Sequence, residues 1–196
     1  VDTMNGNLVV LDRKTMDIDR TIAVGSQPEQ VVVDVSGSAY VSVRGTDEIV
    51  RVDAEAQEVS QRVSVGIEPF GVALSPSSLE TATLLVTCSG NNKLLALDPA
   101  TLQIRDEVES LDDPRGIAFS FNRYVTVAHV HGPALTFPVT QKGMFGVPVG
   151  TELRVGNPSD HFFLEGRLQG LVPTRALAAT IHPGTGDALI AHVQAS

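Results

Sequence analysis

Three histidines are the residues of this sequence whose type and spacing could do chemistry. Ala128-His129-Val130 recurs as Ala191-His192-Val193, and His131 follows His129 by two residues. Imidazole is the commonest protein ligand for metals, so His129, His131 and His192 are candidate ligands of a metal or haem-edge site. Residues two apart on a strand lie about 7 Å apart, however, and the sequence specifies no carboxylate partner. The pattern favours structural, hydrogen-bonded histidines, with metal or haem contact as the alternative.

Two arginines, Arg115 and Arg175, each follow a proline by one or two residues. A guanidinium group binds carboxylate or phosphate through paired hydrogen bonds, so both are candidates for an anion site. The formal net charge of −9 makes ion pairing with Asp112, Asp113 or Glu29 the simpler interpretation. The same charge argues against nucleic-acid binding, which needs patches of lysine and arginine.

The segment 140–160 is a third candidate, because it interrupts the spacing of the rest of the chain. Glycines and prolines recur in it, and strand-like sequence resumes near His161. Long loops inserted into a rigid scaffold often bind a partner. Met144 and Phe145 at the tip of the loop, and His161 after it, are therefore candidate contacts with a neighbouring chain or domain. A variable surface hairpin is the alternative.

No catalytic signature accompanies these candidates. The sequence contains no GxSxG, P-loop, HExxH or GxGxxG motif. Its single cysteine, Cys88, excludes an internal disulfide and any CxxC motif, and its apolar neighbours predict a buried, unreactive thiol. No apolar run approaches the roughly 18 residues that a transmembrane helix needs, so we expect no transmembrane segment.

The elements that must position these residues repeat along the chain. Apolar runs end at Asp12, Asp53 and Asp98, which are spaced by 41 and 45 residues. Gly-x-x-Pro, or a relative of it, precedes another apolar run in each unit, at Gly25–Pro28, Gly66–Pro69, Leu111–Pro114 and Gly170–Pro173. Each unit holds short apolar runs with no helical period. Units of this length with four strands are typical of β-propeller blades.

We therefore predict an all-β fold, a β-propeller of four-stranded antiparallel blades with four blade equivalents present. One domain over 1–196 would comprise repeats at about 1–28, 29–69, 70–114 and 115–196, with the inserted loop at 140–160. The strand that starts near Val31, Val72, Ile117 or Ala176 is predicted to be the innermost and the most buried of its blade. Alignment of the second strands places Ser42, Thr87, His129 and His192 at one repeat position, and Arg44, Ser89, His131 and Gln194 two residues further on.

Two segments also carry a family resemblance. Tyr40–Ile49 (YVSVRGTDEI) and Leu85–Leu94 (LVTCSGNNKL) resemble the YVTN-type propeller repeat, as do the Gly-x-x-Pro segments and the aspartates that end strands. The resemblance covers nearly the whole chain. It implies a seven-bladed propeller in the periplasm, secreted or on the cell surface, as in surface-layer and lactonase-like proteins. Some members of the family are joined to c-type haem domains.

Seven blades of about 43 residues need roughly 300 residues, whereas these 196 hold four blade equivalents. The first repeat is expected to begin at a third strand and the last to end at a second strand. These halves could join to close a four-bladed ring. Part of a seven-bladed ring is the favoured interpretation.

Two functions fit these observations. We expect an exported scaffold that binds a protein or a neighbouring domain through its loops and channel mouth, without a cofactor. The alternative is the propeller part of a periplasmic haem- or metal-dependent oxidoreductase, or a lactonase-like hydrolase. A lactonase would need His, Glu and Arg side chains that converge on the channel face, and no Glu occupies the matching repeat position. Fold alone does not choose between these functions.

Overall fold

A computed structural model describes residues 1–53, 55–75, 81–109, 112–119, 124–131, 134–139, 174–181 and 188–194. For residues 136–138, 174–181 and 188–194 it describes the backbone alone. The described strands are β1 Asn7–Leu11, β2 Ile18–Ala23, β3 Pro28–Val33, β4 Ala39–Val43, β5 Glu48–Val52, β6 Val59–Ser64, β7 Pro69–Leu74, β8 Leu84–Cys88, β9 Lys93–Leu97, β10 Ile104–Val108, β11 Pro114–Phe119, β12 Tyr124–His129, β13 Leu135–Pro138, β14 Thr174–Ile181 and β15 Ala188–Gln194. A short 3-10 turn, Arg44–Thr46, is the one helical element within these ranges.

The strands form antiparallel sheets that follow chain order. Two sheets have four strands, β3-β4-β5-β6 and β7-β8-β9-β10, and a third contains β11-β12-β13. The pairs β1-β2 and β14-β15 form separate two-stranded sheets. The predicted all-β fold with four-stranded antiparallel sheets is therefore confirmed. The predicted loop at 140–160 lies outside the described residues, and the seven-bladed ring stays a prediction. None of the described helical structure is long and apolar enough to cross a membrane.

Aspartates end the third strand of a blade by closing the turn to the fourth. The side chain of Asp12 accepts backbone hydrogen bonds from Lys14 (2.8 Å) and Thr15 (2.9 Å). The side chain of Asp53 likewise accepts backbone hydrogen bonds from Glu55 and Ala56, both at 2.8 Å. Hydrogen bonds to the backbone hold the pKa of Asp12 and of Asp53 below the usual value. A short acceptor side chain at this point is what a tight turn requires.

The first strand of each blade is the innermost, as predicted. Strand β3 contacts β7, β7 contacts β11, and β11 contacts β14, in each case across a blade boundary. The prediction that this strand is also the most buried is wrong. Every residue of β4 and β8, the second strands, is buried, whereas Val31 and Val33 on β3 are exposed. A second strand is flanked by strands on both sides and by neighbouring blades on both faces, so it loses more surface to packing.

Apolar residues between successive sheets form the core. One cluster joins β1 and β2 to β4 and β5, another joins the sheet of β3 to that of β7, and a third joins the sheet of β7 to that of β11. Burying this surface is the main driving force of folding. The repeat therefore folds by stacking one blade on the next.

Cys88 lies in the second of these clusters and is fully buried. Burial raises the pKa of its thiol to about 11. Because only the thiolate reacts, on the order of 0.1% of the thiol is reactive at pH 8. We expect a disulfide reagent such as DTNB to label the native chain at least about 100-fold more slowly than the chain unfolded in guanidinium. Complete labelling of the native chain within minutes would contradict this placement.

Candidate functional site

The start of each innermost strand presents one side chain at the same end of the blades. The residue after the proline is Glu29 on β3, Phe70 on β7 and Arg115 on β11. All three are half-buried, while the prolines before them are buried. We call Glu29, Phe70 and Arg115, with their ion-pair partners Arg44 and Asp113, the mouth cluster.

Arg115 makes two kinds of contact in the mouth cluster. Its guanidinium carbon lies 4.9 Å from the centroid of the Phe70 ring, in the neighbouring blade. Its Nε and Nη2 atoms donate to the two carboxylate oxygens of Asp113, at 3.1 and 3.3 Å. A bidentate pair with a cation–π contact fixes the plane of the guanidinium group. Arg115 therefore pairs with one of the acidic residues that the sequence indicated.

Arg44 and Glu29 form the other ion pair of the cluster, with 2.8 Å between Nε and Oε1. The side chain of Arg44 is 29% exposed and that of Glu29 is 15% exposed. The Arg44 Nε atom makes no hydrogen bond of good geometry, so this contact is an ion pair only. Both ion pairs are partly exposed, so solvent and a ligand can reach them. Ion pairs near the surface contribute about 0–1 kcal/mol to stability, so these two are a small part of what holds the blades together.

The backbone beneath the cluster is held by hydrogen bonds between blades. Ser42 Oγ donates to the carbonyl of Phe70 at 2.6 Å, and Thr87 Oγ1 donates to the carbonyl of Arg115 at 2.7 Å. Thr87 Oγ1 also accepts from the Gly71 N–H at 2.8 Å. Sequence analysis missed this role, although a hydroxyl side chain inside an apolar second strand was its signal.

Loops at the same end of the blades add side-chain hydrogen bonds to the backbone and acidic groups. Asp47 and Asn92 adopt left-handed backbone conformations, and their side-chain oxygens accept from the N–H groups of Glu68 (2.8 Å) and Asp113 (2.9 Å). Four cations at this end are ion-paired, namely Arg44, Arg62, Lys93 and Arg115. Within the described ranges, Asp47, Glu68 and Asp112 form no ion pair, so this end carries an excess of negative charge.

His129 does not occupy the repeat position at which sequence alignment placed it. Pro114 pairs with His129, as Pro28 pairs with Val43 and Pro69 with Cys88. His129 therefore corresponds to Val43 and Cys88, one residue along from Ser42 and Thr87. Because side chains alternate between the two faces of a sheet, this one-residue shift reverses the direction of the side chain.

The same correction applies to His131. The Val130 N–H donates to the Asp113 carbonyl, as the Ser89 N–H does to Glu68 and the Arg44 N–H to Gln27. Val130, not His131, is thus the equivalent of Arg44 and Ser89. His129 is 2% exposed, whereas His131 is exposed.

The remaining candidate residues are placed only in part. His192 pairs with Ala176 and Arg175 with Val193 in the ladder of β14 and β15, whose backbone alone is described. Met144, Phe145 and His161 lie outside the described residues. In the part of the chain that the structure describes, no three His, Cys, Asp or Glu side chains form a group that could hold a metal ion. Metal or haem contact stays a prediction.

Comparison with protein-family models and with curated proteins gives no match. Solved structures do match. Hydrazine synthase of Kuenenia stuttgartiensis is 20% identical over 74% of this chain and 43% of its own, with a TM-score of 0.63. Virginiamycin B lyase of Staphylococcus aureus is 11% identical over 98% of this chain and 57% of its own, with a TM-score of 0.65. A chain of a mitotic checkpoint complex is 13% identical over 95% of this chain and 53% of its own, with a TM-score of 0.70.

These neighbours are β-propellers, and identities this low show the fold alone. The chain is therefore a β-propeller, and it spans about half the length of the solved structures that it matches. Membership of the YVTN-type family stays a prediction.

Proposed function

We propose that the chain is a propeller scaffold that binds a protein or an adjoining domain at the mouth cluster. The observation that carries this proposal is Arg115, held half-exposed between the Phe70 ring and the Asp113 carboxylate. Arginine and aromatic residues are enriched at the energetic centres of protein interfaces. A side chain ordered before binding loses less conformational entropy when the partner arrives.

The side chains of Phe70 and Arg115 take no part in the hydrogen bonds between blades. The hydrogen bonds between blades use the carbonyl groups of Phe70 and Arg115, and the core lies between the sheets. An ordered cation over an aromatic ring at the end of the innermost strands is therefore available for recognition. The carboxylates of Asp47, Glu68 and Asp112, which form no ion pair with another described residue, favour a partner segment with lysine or arginine residues.

Selection of peptides from a random displayed library tests this proposal without a known partner. We expect selected peptides to be rich in basic and aromatic residues, and to bind more weakly at high salt. The double variant Phe70→Ala/Arg115→Ala should bind them at least about 10-fold more weakly, since it removes both groups of a predicted energetic centre. The matched control Ile18→Ala/Arg20→Ala, an exposed apolar residue and an arginine on β2, should bind like the unaltered chain.

Binding that the control variant lowers and the Phe70→Ala/Arg115→Ala variant retains would place the interaction elsewhere and contradict the proposal. Circular dichroism of both variants establishes that they remain folded. Peptides that bind all three proteins equally would likewise exclude the mouth cluster.

The alternative function, part of a haem- or metal-dependent oxidoreductase or a lactonase-like hydrolase, gains no support from the described residues. Hydrazine synthase and virginiamycin B lyase share the fold with this chain, but identities of 20% and 11% carry no activity over. The proposed exported location rests on the resemblance to the YVTN-type repeat.

A further inference from the structure

The two ion pairs of the mouth cluster differ in how well they are made. Glu29 Oε1 and Arg44 Nε lie 2.8 Å apart, yet the Nε atom is buried and makes no hydrogen bond of good geometry. Arg115, by contrast, donates two hydrogen bonds to Asp113. A buried donor without an acceptor is unfavourable, because it has lost its water and gained no partner. The contact with Glu29 therefore holds Arg44 less firmly than Asp113 holds Arg115.

A cation at the position of Arg44 is particular to one blade. The N–H groups of Arg44, Ser89 and Val130 each donate to the carbonyl of the residue before the proline of their blade, so the three residues are equivalent. Ser89 and Val130 carry no charge. Among these three blades, only the one with Arg44 has a carboxylate, Glu29, after its proline. The repeat itself therefore does not require the pair.

The carboxylate of Glu29 favours one kind of cation. Its side chain is 15% exposed, so a group that binds it must give up much of its water. A guanidinium group is more weakly hydrated than an ammonium group, and its planar N–H donors match a carboxylate. This position therefore favours arginine over lysine.

We propose that Arg44 occupies the place of a partner's arginine, which displaces it from Glu29 on binding. This inference rests on the proposed function, and it names the residue that the partner contributes. The exchange keeps the charge of Glu29 compensated. It also lets Arg44 turn into solvent, where water satisfies the Nε–H group that lacks an acceptor in the free chain. Arg44 is thus an internal competitor, and a segment without arginine cannot take its place.

Labelled hexa-arginine and hexa-lysine are the probes, because they carry the same charge. Arg44→Met should bind hexa-arginine about 5-fold more tightly than the unaltered chain, since a surface ion pair is worth up to about this factor. Arg62→Met is the matched control, because it also removes an arginine paired with a glutamate, Glu48, at this end of the blades. It should gain less than about 2-fold at physiological salt, where distant charges are screened. Hexa-lysine should bind Arg44→Met more weakly than hexa-arginine does.

A second substitution tests whether the gain depends on Glu29. The double variant Glu29→Gln/Arg44→Met should lose the whole gain of Arg44→Met, because the amide keeps the shape of the side chain and removes its charge. A gain that persists in the double variant, or an equal gain in Arg62→Met, would overturn the proposal. Equal binding of the two peptides to Arg44→Met would overturn it as well. Circular dichroism establishes that each variant remains folded.

These outcomes are separate from those that test the mouth cluster as a whole. If Phe70→Ala/Arg115→Ala weakens the binding of selected peptides while Arg44→Met gains no more than Arg62→Met, the exchange at Glu29 is overturned and the proposed function stands. If Phe70→Ala/Arg115→Ala leaves that binding unchanged, the proposed function fails, and the exchange that rests on it fails too.

Discussion

Replacement of Gly71 by alanine is expected to lower the free energy of unfolding by about 3 kcal/mol. A Cβ atom at this position would overlap the carbonyl oxygen of Arg115 in the next blade, and would also lie 2.9 Å from Thr87 Oγ1. Neither atom can turn away, because the carbonyl belongs to a strand and the Thr87 hydroxyl is bonded to both strands. The two blades must separate, and overpacking of this kind typically costs about 1–3 kcal/mol before the lost hydrogen bonds are counted.

Gly90→Ala is the matched control for Gly71→Ala. Its added Cβ would clash only with Ile67 Cγ2, on a side chain that is 53% exposed and can turn away, whereas the Ile67 Cβ and carbonyl oxygen lie 3.1 Å away and need to shift by a few tenths of an ångström. We expect a loss of about 1 kcal/mol, the usual magnitude for a rotamer change. Urea unfolding followed by circular dichroism measures both variants. Equal losses for Gly71→Ala and Gly90→Ala would contradict the tight contact between the first strands of neighbouring blades.

The strands and their turns could be predicted because their causes are local. Short β-branched runs favour strands, and an aspartate after the third strand accepts backbone N–H groups two and three residues on, as Asp12 and Asp53 do. The spacing of these markers then defines the repeat, and four strands per repeat define a propeller blade. Each strand and each turn depends on residues that are close together in the sequence, and the repeat depends only on the spacing of like markers.

The register of the histidines was predicted wrongly for another reason. The pairing of β11 with β12 shifts by one residue between Pro114 and Ile117, but the same shift follows Pro28 and Pro69, so it does not displace one blade against another. Ala128-His129-Val130 was aligned with the other second strands by residue type, because it resembles Ala191-His192-Val193. That alignment places His129 one residue away from the position that the strand pairing gives it. One residue suffices to move a side chain to the opposite face of the strand.

The mouth cluster was predictable in part. The pairing of Arg115 with Asp113 spans two residues, and net charge already favoured it. The stacking of Arg115 on Phe70 joins two blades, so it depends on how the sheets pack. The exposure of Val31 is a similar case, since an apolar residue in a strand run predicts burial until its neighbours are known.

Thr87→Val is expected to lower the free energy of unfolding by about 2–4 kcal/mol, although valine has nearly the same shape. The Thr87 hydroxyl is buried between blades, where it accepts from the Gly71 N–H and donates to the Arg115 carbonyl. Valine leaves both backbone groups without this partner, and each buried unsatisfied group costs about 1–3 kcal/mol. Thr87→Ser keeps the hydroxyl, as Ser42 does at the corresponding position, and should lose about 1 kcal/mol or less for the missing methyl group.

Peptide binding at the mouth cluster should be weaker in Thr87→Val than in Thr87→Ser. Thr87 holds the backbone carbonyl of Arg115, and the side chain of Arg115 is the one proposed to contact the partner. Thr87→Val should therefore weaken the binding of selected peptides at temperatures where the variant is still folded, while Thr87→Ser should preserve it. Loss of stability without any change in binding would separate the two roles, and would show that the position of the Arg115 side chain does not depend on the hydrogen bond beneath it. Equal stability of the valine and serine variants would remove the hydroxyl from the contact between blades altogether.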